Sequence, residues 1–158
     1  MDINEKKARF FARTMHTPDD EIRGAMRAAL RGSSKALIPL HRALIEAARS
    51  DYSFAYGSVD HPTKLLQLLG EDPFFEWLKP LTKLIVDIDE LARRDFEPAE
   101  AAAIADRINR LFGTEPDPEF ASRYVPVLQR DVDVAVGHAA LRKAVSGLKP
   151  APRAARSD

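Results

Sequence analysis

Residues 73–94 read PFFEWLKPLTKLIVDIDELARR, and their apolar side chains recur at the period of an α-helix. The repeat has 4-3-4-3 spacing and consists of Phe74, Leu78, Leu81, Ile85 and Ile88. Three further apolar side chains widen the stripe, namely Trp77, Leu84 and Leu91. A wide apolar surface is typical of a central helix that contacts several neighbours. We therefore expect this helix at the centre of an all-α fold.

Prolines and glycines divide the rest of the chain into segments of helical length, because proline favours the first helical position and glycine the position after the end. The prolines in the first role are Pro18, Pro62, Pro73, Pro98 and Pro118. The glycines in the second role are Gly32, Gly57, Gly70, Gly113 and Gly147. These signals predict helices over residues 3–15, 18–31, 34–56, 62–69, 73–94, 98–112 and 118–146.

The predicted organisation is a helical bundle with additions at both ends. Four or five main helices form a bundle over residues 33–147, with residues 62–69 as a short connector. Residues 1–32 form an N-terminal helical extension, and residues 148–158 form a disordered tail. Pro39, Pro80 and Pro126 lie inside helical patterns, where proline removes a backbone hydrogen bond. We expect kinks there, or helix junctions at Lys79 and Val125.

Composition excludes several classes of protein. The chain has 158 residues, with 24 basic and 24 acidic side chains. This neutrality argues against a nucleic-acid binder. Cysteine is absent, which excludes disulfide frameworks, thiol catalysis and thiolate metal sites. The sequence contains neither a membrane-spanning apolar run nor a signal-peptide core near its start, so we expect a cytoplasmic protein.

Two histidines lie on apolar helix stripes and are candidate pocket residues. His41 follows Leu37 on one stripe, and His138 follows Val134 on another. Together with Asp87 or Asp89 they could form a polar pocket for a small ligand. The simpler interpretation makes each a hydrogen-bonded core histidine and each aspartate part of a solvated face. No histidine pair has the spacing of a helical metal site, so we predict no metal ligands among them. We also predict no cofactor.

Basic and aromatic residues near the N-terminus form a candidate partner surface. Arg23, Arg27 and Arg31 recur every four residues, and Phe10 and Phe11 precede them. They could dock on a protein partner or a second copy. Binding to an anionic membrane surface is also conceivable, but the neutral overall charge favours a solvated helix face.

Several segments resemble a family of small uncharacterised bacterial proteins, over roughly residues 34–146. The matching segments are Leu40–Ile45, Leu65–Leu69, Asp72–Leu81, Leu84–Glu90 and Leu128–Asp131, with Phe120, Tyr124, Val134 and His138. The resemblance implies a helical fold and singles out His41, Asp89 and His138. The chain departs from the family pattern at Val132, where proline is expected.

Two classes of function remain open. The first is a non-catalytic interaction module that docks on a protein partner or self-associates. It agrees with the sequence, which lacks a glycine-rich phosphate loop, a nucleophile turn and a histidine-rich zinc motif. The second is a bundle that binds a small ligand, metal or cofactor near His41 and His138. An enzyme would belong to the second class, and the sequence argues against one.

Overall fold

The computed structural model describes residues 18–148, together with residues 3, 4 and 6. This part of the chain is all-α, as predicted, with six α-helices, two 3-10 segments and no strand. The α-helices are α1 (Pro18–Tyr56), α2 (Pro62–Glu71), α3 (Lys79–Ala92), α4 (Pro98–Phe112), α5 (Pro118–Arg130) and α6 (Val132–Val145). The 3-10 segments are Pro73–Leu78 and Ser146–Leu148. Most of the predicted 3–15 helix, and the predicted tail beyond residue 148, lie outside the described residues.

Helix α1 is continuous over 39 residues, so the predicted helix end at Gly32 is wrong. Buried side chains continue at helical spacing on both sides of Gly32, as Leu30 before it and Leu37 after it show. The glycine with a positive φ is Gly57, which follows the last residue of α1. Packing of the apolar stripe therefore outweighs the low helix propensity of Gly32. The predicted boundary between residues 32 and 33 falls inside this helix.

Two other predicted helices are interrupted. The segment predicted over 73–94 is a 3-10 helix before Lys79 and an α-helix after it, with Pro80 in the first turn of α3. The segment predicted over 118–146 is two helices, because Asp131 adopts an extended backbone conformation and caps α6. Its carboxylate accepts from the N–H groups of Asp133 and Val134. Helix α5 continues through the predicted junction at Val125.

The long helix α1 packs between α3 and α6 and runs antiparallel to both. Contacts with α3 join Arg27 to Ala92 and His41 to Thr82, so residue numbers rise along one helix as they fall along the other. Helix α6 comes so close that a Cβ added to Gly137 would lie 3.2 Å from the Leu40 side chain.

Helix α4 completes the bundle beside α3 and α6. It contacts α3 through an Arg107–Asp87 ion pair of 2.8 Å and α6 through a hydrogen bond from Arg142 to Asn109.

The bundle encloses one apolar core. Its largest fully buried side chains include Leu30, Leu37, Leu40, Leu44, Phe75, Leu78, Leu81, Leu84, Ile88, Ile108, Leu141 and Leu148. Burying a leucine side chain contributes about 1.5–3 kcal/mol, so this set stabilises the fold strongly before the cost of chain ordering is subtracted. The apolar stripe predicted from residues 73–94 is buried at Leu81, Leu84 and Ile88, but the helix at the centre of the bundle is α1, which packs against both α3 and α6. No described helix is long and apolar enough to cross a membrane.

Candidate functional site

His41 lies at the boundary between α1 and α3 and is held by a short hydrogen-bond chain. Its Nε2 lies 2.9 Å from Thr82 Oγ1, and that hydroxyl lies 3.2 Å from the Leu78 carbonyl oxygen. Because the hydroxyl has one proton and donates it to Leu78, it accepts from His41 Nε2–H. Burial lowers the pKa of His41. The side chain is therefore a neutral imidazole that joins two helices.

His138 on α6 is held by Tyr124 on α5. The Tyr124 hydroxyl lies 2.7 Å from His138 Nδ1, and the two rings stack with centroids 5.8 Å apart. Burial raises the pKa of Tyr124, so the hydroxyl keeps its proton and donates it to Nδ1. Burial, and then the charge of Arg142, lower the pKa of His138. His138 is thus also a neutral structural link, here between α5 and α6.

The two aspartates predicted for the pocket are engaged in ion pairs. Asp87 lies 3.1 Å from Lys83 and 2.8 Å from Arg107, and its pKa is lowered mainly by the hydrogen bond from Lys83. Asp89 pairs with Arg93 at 3.0 Å on the exposed face of α3. The structure therefore gives His41, His138 and both aspartates separate partners. Among the described residues, no group of three or more side chains is suited to hold a metal ion.

Two of the three arginines predicted to face a partner are used inside the fold. Arg27 Nη1 donates to the Ala92 carbonyl at 2.6 Å and to the Arg94 carbonyl at 3.1 Å, and the guanidinium lies over the Phe96 ring. Arg23 pairs with Glu97 at 3.2 Å. They tie α1 to the connection between α3 and α4.

The remaining residues of that predicted surface differ in their placement. Arg31 is exposed on α1. Phe10 and Phe11 lie outside the described residues, so their role in docking stays a prediction.

Helix α6 has an apolar face that sequence analysis did not identify. Its 14 residues, VDVAVGHAALRKAV, bury Val134, Leu141 and Val145 against the core. The other side is also apolar but exposed, and we call it the α6 face: Val132, Ala135, Val136, Ala139 and Ala140. Val132 is 76% exposed and Val136 is 64% exposed. Asp133, Arg142 and Lys143 are exposed on this helix too, but the five apolar residues of the α6 face form an apolar surface that the described chain leaves uncovered.

A groove of about 760 Å³ runs beside the α6 face, between α1 and α6. Its apolar lining comes from Ala36, Pro39 and Ala43 of α1 and from Val136, Gly137, Ala140 and Ala144 of α6. These side chains are small, so a helix could approach the groove closely.

Charged side chains mark the two ends of this groove. Asp133 lines one end together with Glu46, which pairs with Arg49 at 3.6 Å, and Asp131, which caps α6; Lys35 lines the other end. The antiparallel packing of α1 and α6 also places the exposed Lys143 near the Lys35 end. Arg42 also lines the groove between these two ends, so the opposite charges at the ends rest on Asp133 against Lys35 and Lys143.

A second depression, of about 720 Å³, lies between α3, α4 and α5. Trp77 and Phe120 contribute aromatic surface to it. Three of its cations already have carboxylate partners: Lys79 pairs with Glu76, while Lys83 and Arg107 share Asp87. Electrostatics therefore gives little reason for an anionic ligand to bind there.

Comparison of the chain with protein-family models, curated proteins and solved structures found no match. The resemblance to a bacterial family stays a prediction.

Proposed function

We propose that this chain is a non-catalytic interaction module that docks another protein through the α6 face and the adjoining groove. The main support for the proposal is that α6 has apolar side chains on two sides, while the described chain packs against only one of them. Docking an apolar helix would cover Val132 and Val136 and fill the groove beside Pro39. The charged groove ends would set the direction of the incoming helix.

The expected affinity is modest. Full burial of a valine contributes about 1.5–3 kcal/mol, and the α6 face has two largely exposed valines among smaller alanines. Association costs at least about 4 kcal/mol in lost translational and rotational freedom. These magnitudes favour a reversible interaction over a permanent complex.

The alternative function, ligand binding near His41 and His138, has less support. One ring nitrogen of each histidine is held by a hydrogen bond inside the bundle, to Thr82 or to Tyr124. Burial also keeps both imidazoles neutral at pH 7. We therefore propose structural roles for these two histidines.

Photo-crosslinking in the native cell tests the proposal. A photoreactive amino acid replaces Val136 in the full chain, and the control carries it at Val86, a half-exposed valine on α3. We expect protein adducts from position 136 that exceed those from position 86. A Val132→Lys substitution should remove the excess. Equal yields from both positions would contradict the proposal.

A further inference from the structure

We infer that the occupant of the α6 face is a second copy of this chain, with the two α6 helices antiparallel across a two-fold axis. This inference rests on the proposed docking function and names its partner. A face used by two identical copies must be complementary to itself. The α6 face meets that condition through the order of its charges.

The groove has acidic and basic groups at opposite ends. Leu40 and Gly137 are in contact near its middle. Asp133 lies on one side of this contact, preceding Gly137 in α6; Glu46 lies on the same side but pairs with Arg49 at 3.6 Å. Lys35 of α1 and Lys143 of α6 lie on the other side. A two-fold rotation therefore brings the acidic end of each copy against the basic end of the other.

The spacing along α6 fits this arrangement. Asp133 and Lys143 are ten residues apart, which corresponds to about 15 Å along the helix, and the midpoint is at residue 138. With the axis there, Asp133 faces Lys143 of the second copy and Val136 faces Ala140 of the second copy. The apolar residues then meet in the centre, and both charge pairs lie at the rim. Arg42 is an exception to this order of charges, because it is a basic residue that lines the groove one turn from the acidic Glu46.

The size of the face sets the strength of the dimer. The 14 residues of α6 extend about 21 Å, and two packed helices are about 20 Å wide, so each copy offers a footprint of about 400 Å². A standard interface buries about 800 Å² per partner. We therefore expect reversible dimers with a Kd in the micromolar range, weakened by added salt.

Charge-swap variants test the arrangement by sedimentation velocity on the full chain, from about 1 to 200 µM, a range chosen to bracket a micromolar Kd. Asp133→Lys and Lys143→Asp each create two like-charge contacts in the symmetric pair. Each variant alone should dimerise at least about tenfold more weakly than the natural chain. Mixed together, the two variants should form a heterodimer, because both charge pairs are then opposite again.

Controls separate charge from folding. Lys64→Asp on α2 changes the net charge by the same amount as Lys143→Asp, and it should leave dimerisation unchanged. Circular dichroism checks that each variant folds. If Asp133→Lys disturbs the first turn of α6, Asp133→Asn replaces it in the test, and we expect a smaller loss of dimer affinity from that variant.

The outcomes distinguish the inference from the proposed function. A chain that stays monomeric at about 200 µM, while position 136 crosslinks to a different protein, overturns self-association and leaves the docking function standing. A monomeric chain without adducts specific to position 136 overturns both. Dimers unaffected by the charge swaps and by Val136→Lys overturn the assignment to the α6 face.

Discussion

Replacing Gly32 by alanine tests whether α1 is one helix, because the two possibilities predict changes of opposite sign. In the structure Gly32 lies inside α1, and a Cβ added there meets no atom within 4 Å. Alanine should therefore stabilise the protein. A helix that ended at Gly32 would place this residue in the left-handed region, and alanine would be strained there.

The expected gain follows from helix propensity alone. Glycine in a helix interior is about 0.5–1 kcal/mol less favourable than alanine, and open space around Gly32 adds no steric cost. For a chain of this size, about 1 kcal/mol corresponds to a rise in Tm of about 2–4 °C.

Gly57→Ala is the matched control. Gly57 has a φ of 106°, a conformation that is strained for alanine, although its surroundings are also open. We expect a loss of about 1–2 kcal/mol. Urea unfolding at low micromolar protein concentration measures both changes in the free energy of unfolding. If Gly32→Ala lowers the free energy of unfolding as much as Gly57→Ala does, α1 is not one continuous helix.

Three further predictions concern polar groups that are buried or half-buried. Ser33 is fully buried, and its hydroxyl has no hydrogen-bond partner among the described residues. Ser33→Ala should therefore raise the free energy of unfolding by about 1 kcal/mol. An unchanged or lower value would show that the hydroxyl has a hydrogen-bond partner. Arg27→Met should lower the free energy of unfolding by about 2–3 kcal/mol, because it removes two charge-assisted hydrogen bonds. Arg31→Met, on the exposed face of α1, should change the free energy of unfolding by no more than about 0.5 kcal/mol. Equal effects of the two substitutions would contradict the placement of Arg27. Folding lowers the pKa of His41 and His138, so the unfolded chain binds protons first, and stability should fall as the pH drops below about 6.5 and through the lowered pKa values. Unfolding titrations between about pH 8 and pH 5 measure this slope, which replacing both histidines by glutamine should flatten, whereas a stability that increases with acidity would oppose the prediction.

Local signals in the sequence predict the bounds of a helix correctly where the residues that determine each end lie within one turn of it. The helix from Pro98 to Phe112 has the predicted bounds, since Pro98 begins it and the Glu100 carboxylate accepts from the Glu97 N–H at 2.9 Å. The continuity of α1 through Gly32 was not predictable in this way. There the apolar stripe of α1 packs against helices that are distant in sequence, and this packing outweighs the local helix-breaking signal of Gly32.

The site was harder to predict than the fold. His41 and His138 were identified as residues on inward faces, but their bonds to Thr82 and Tyr124 depend on which helices become neighbours. The α6 face was not predicted, because the sequence does not show which sides of a helix are covered by its neighbours. With the start at Val132, helical spacing puts Val132 and Val136 on the side opposite the core residues Leu141 and Val145.

The claim that the α6 face is covered by protein can be measured directly by cysteine alkylation. The chain contains no cysteine, so Val136→Cys and, as a control, Val86→Cys each introduce a single thiol. We compare maleimide labelling rates in purified protein at about 1 µM with the rates at about 200 µM, which favours a second copy, and in the native cell extract, which supplies other partners. Covering of the face predicts that Cys at position 136 is labelled several-fold more slowly at about 200 µM or in the extract, relative to position 86. An unchanged ratio of the two rates would contradict the claim.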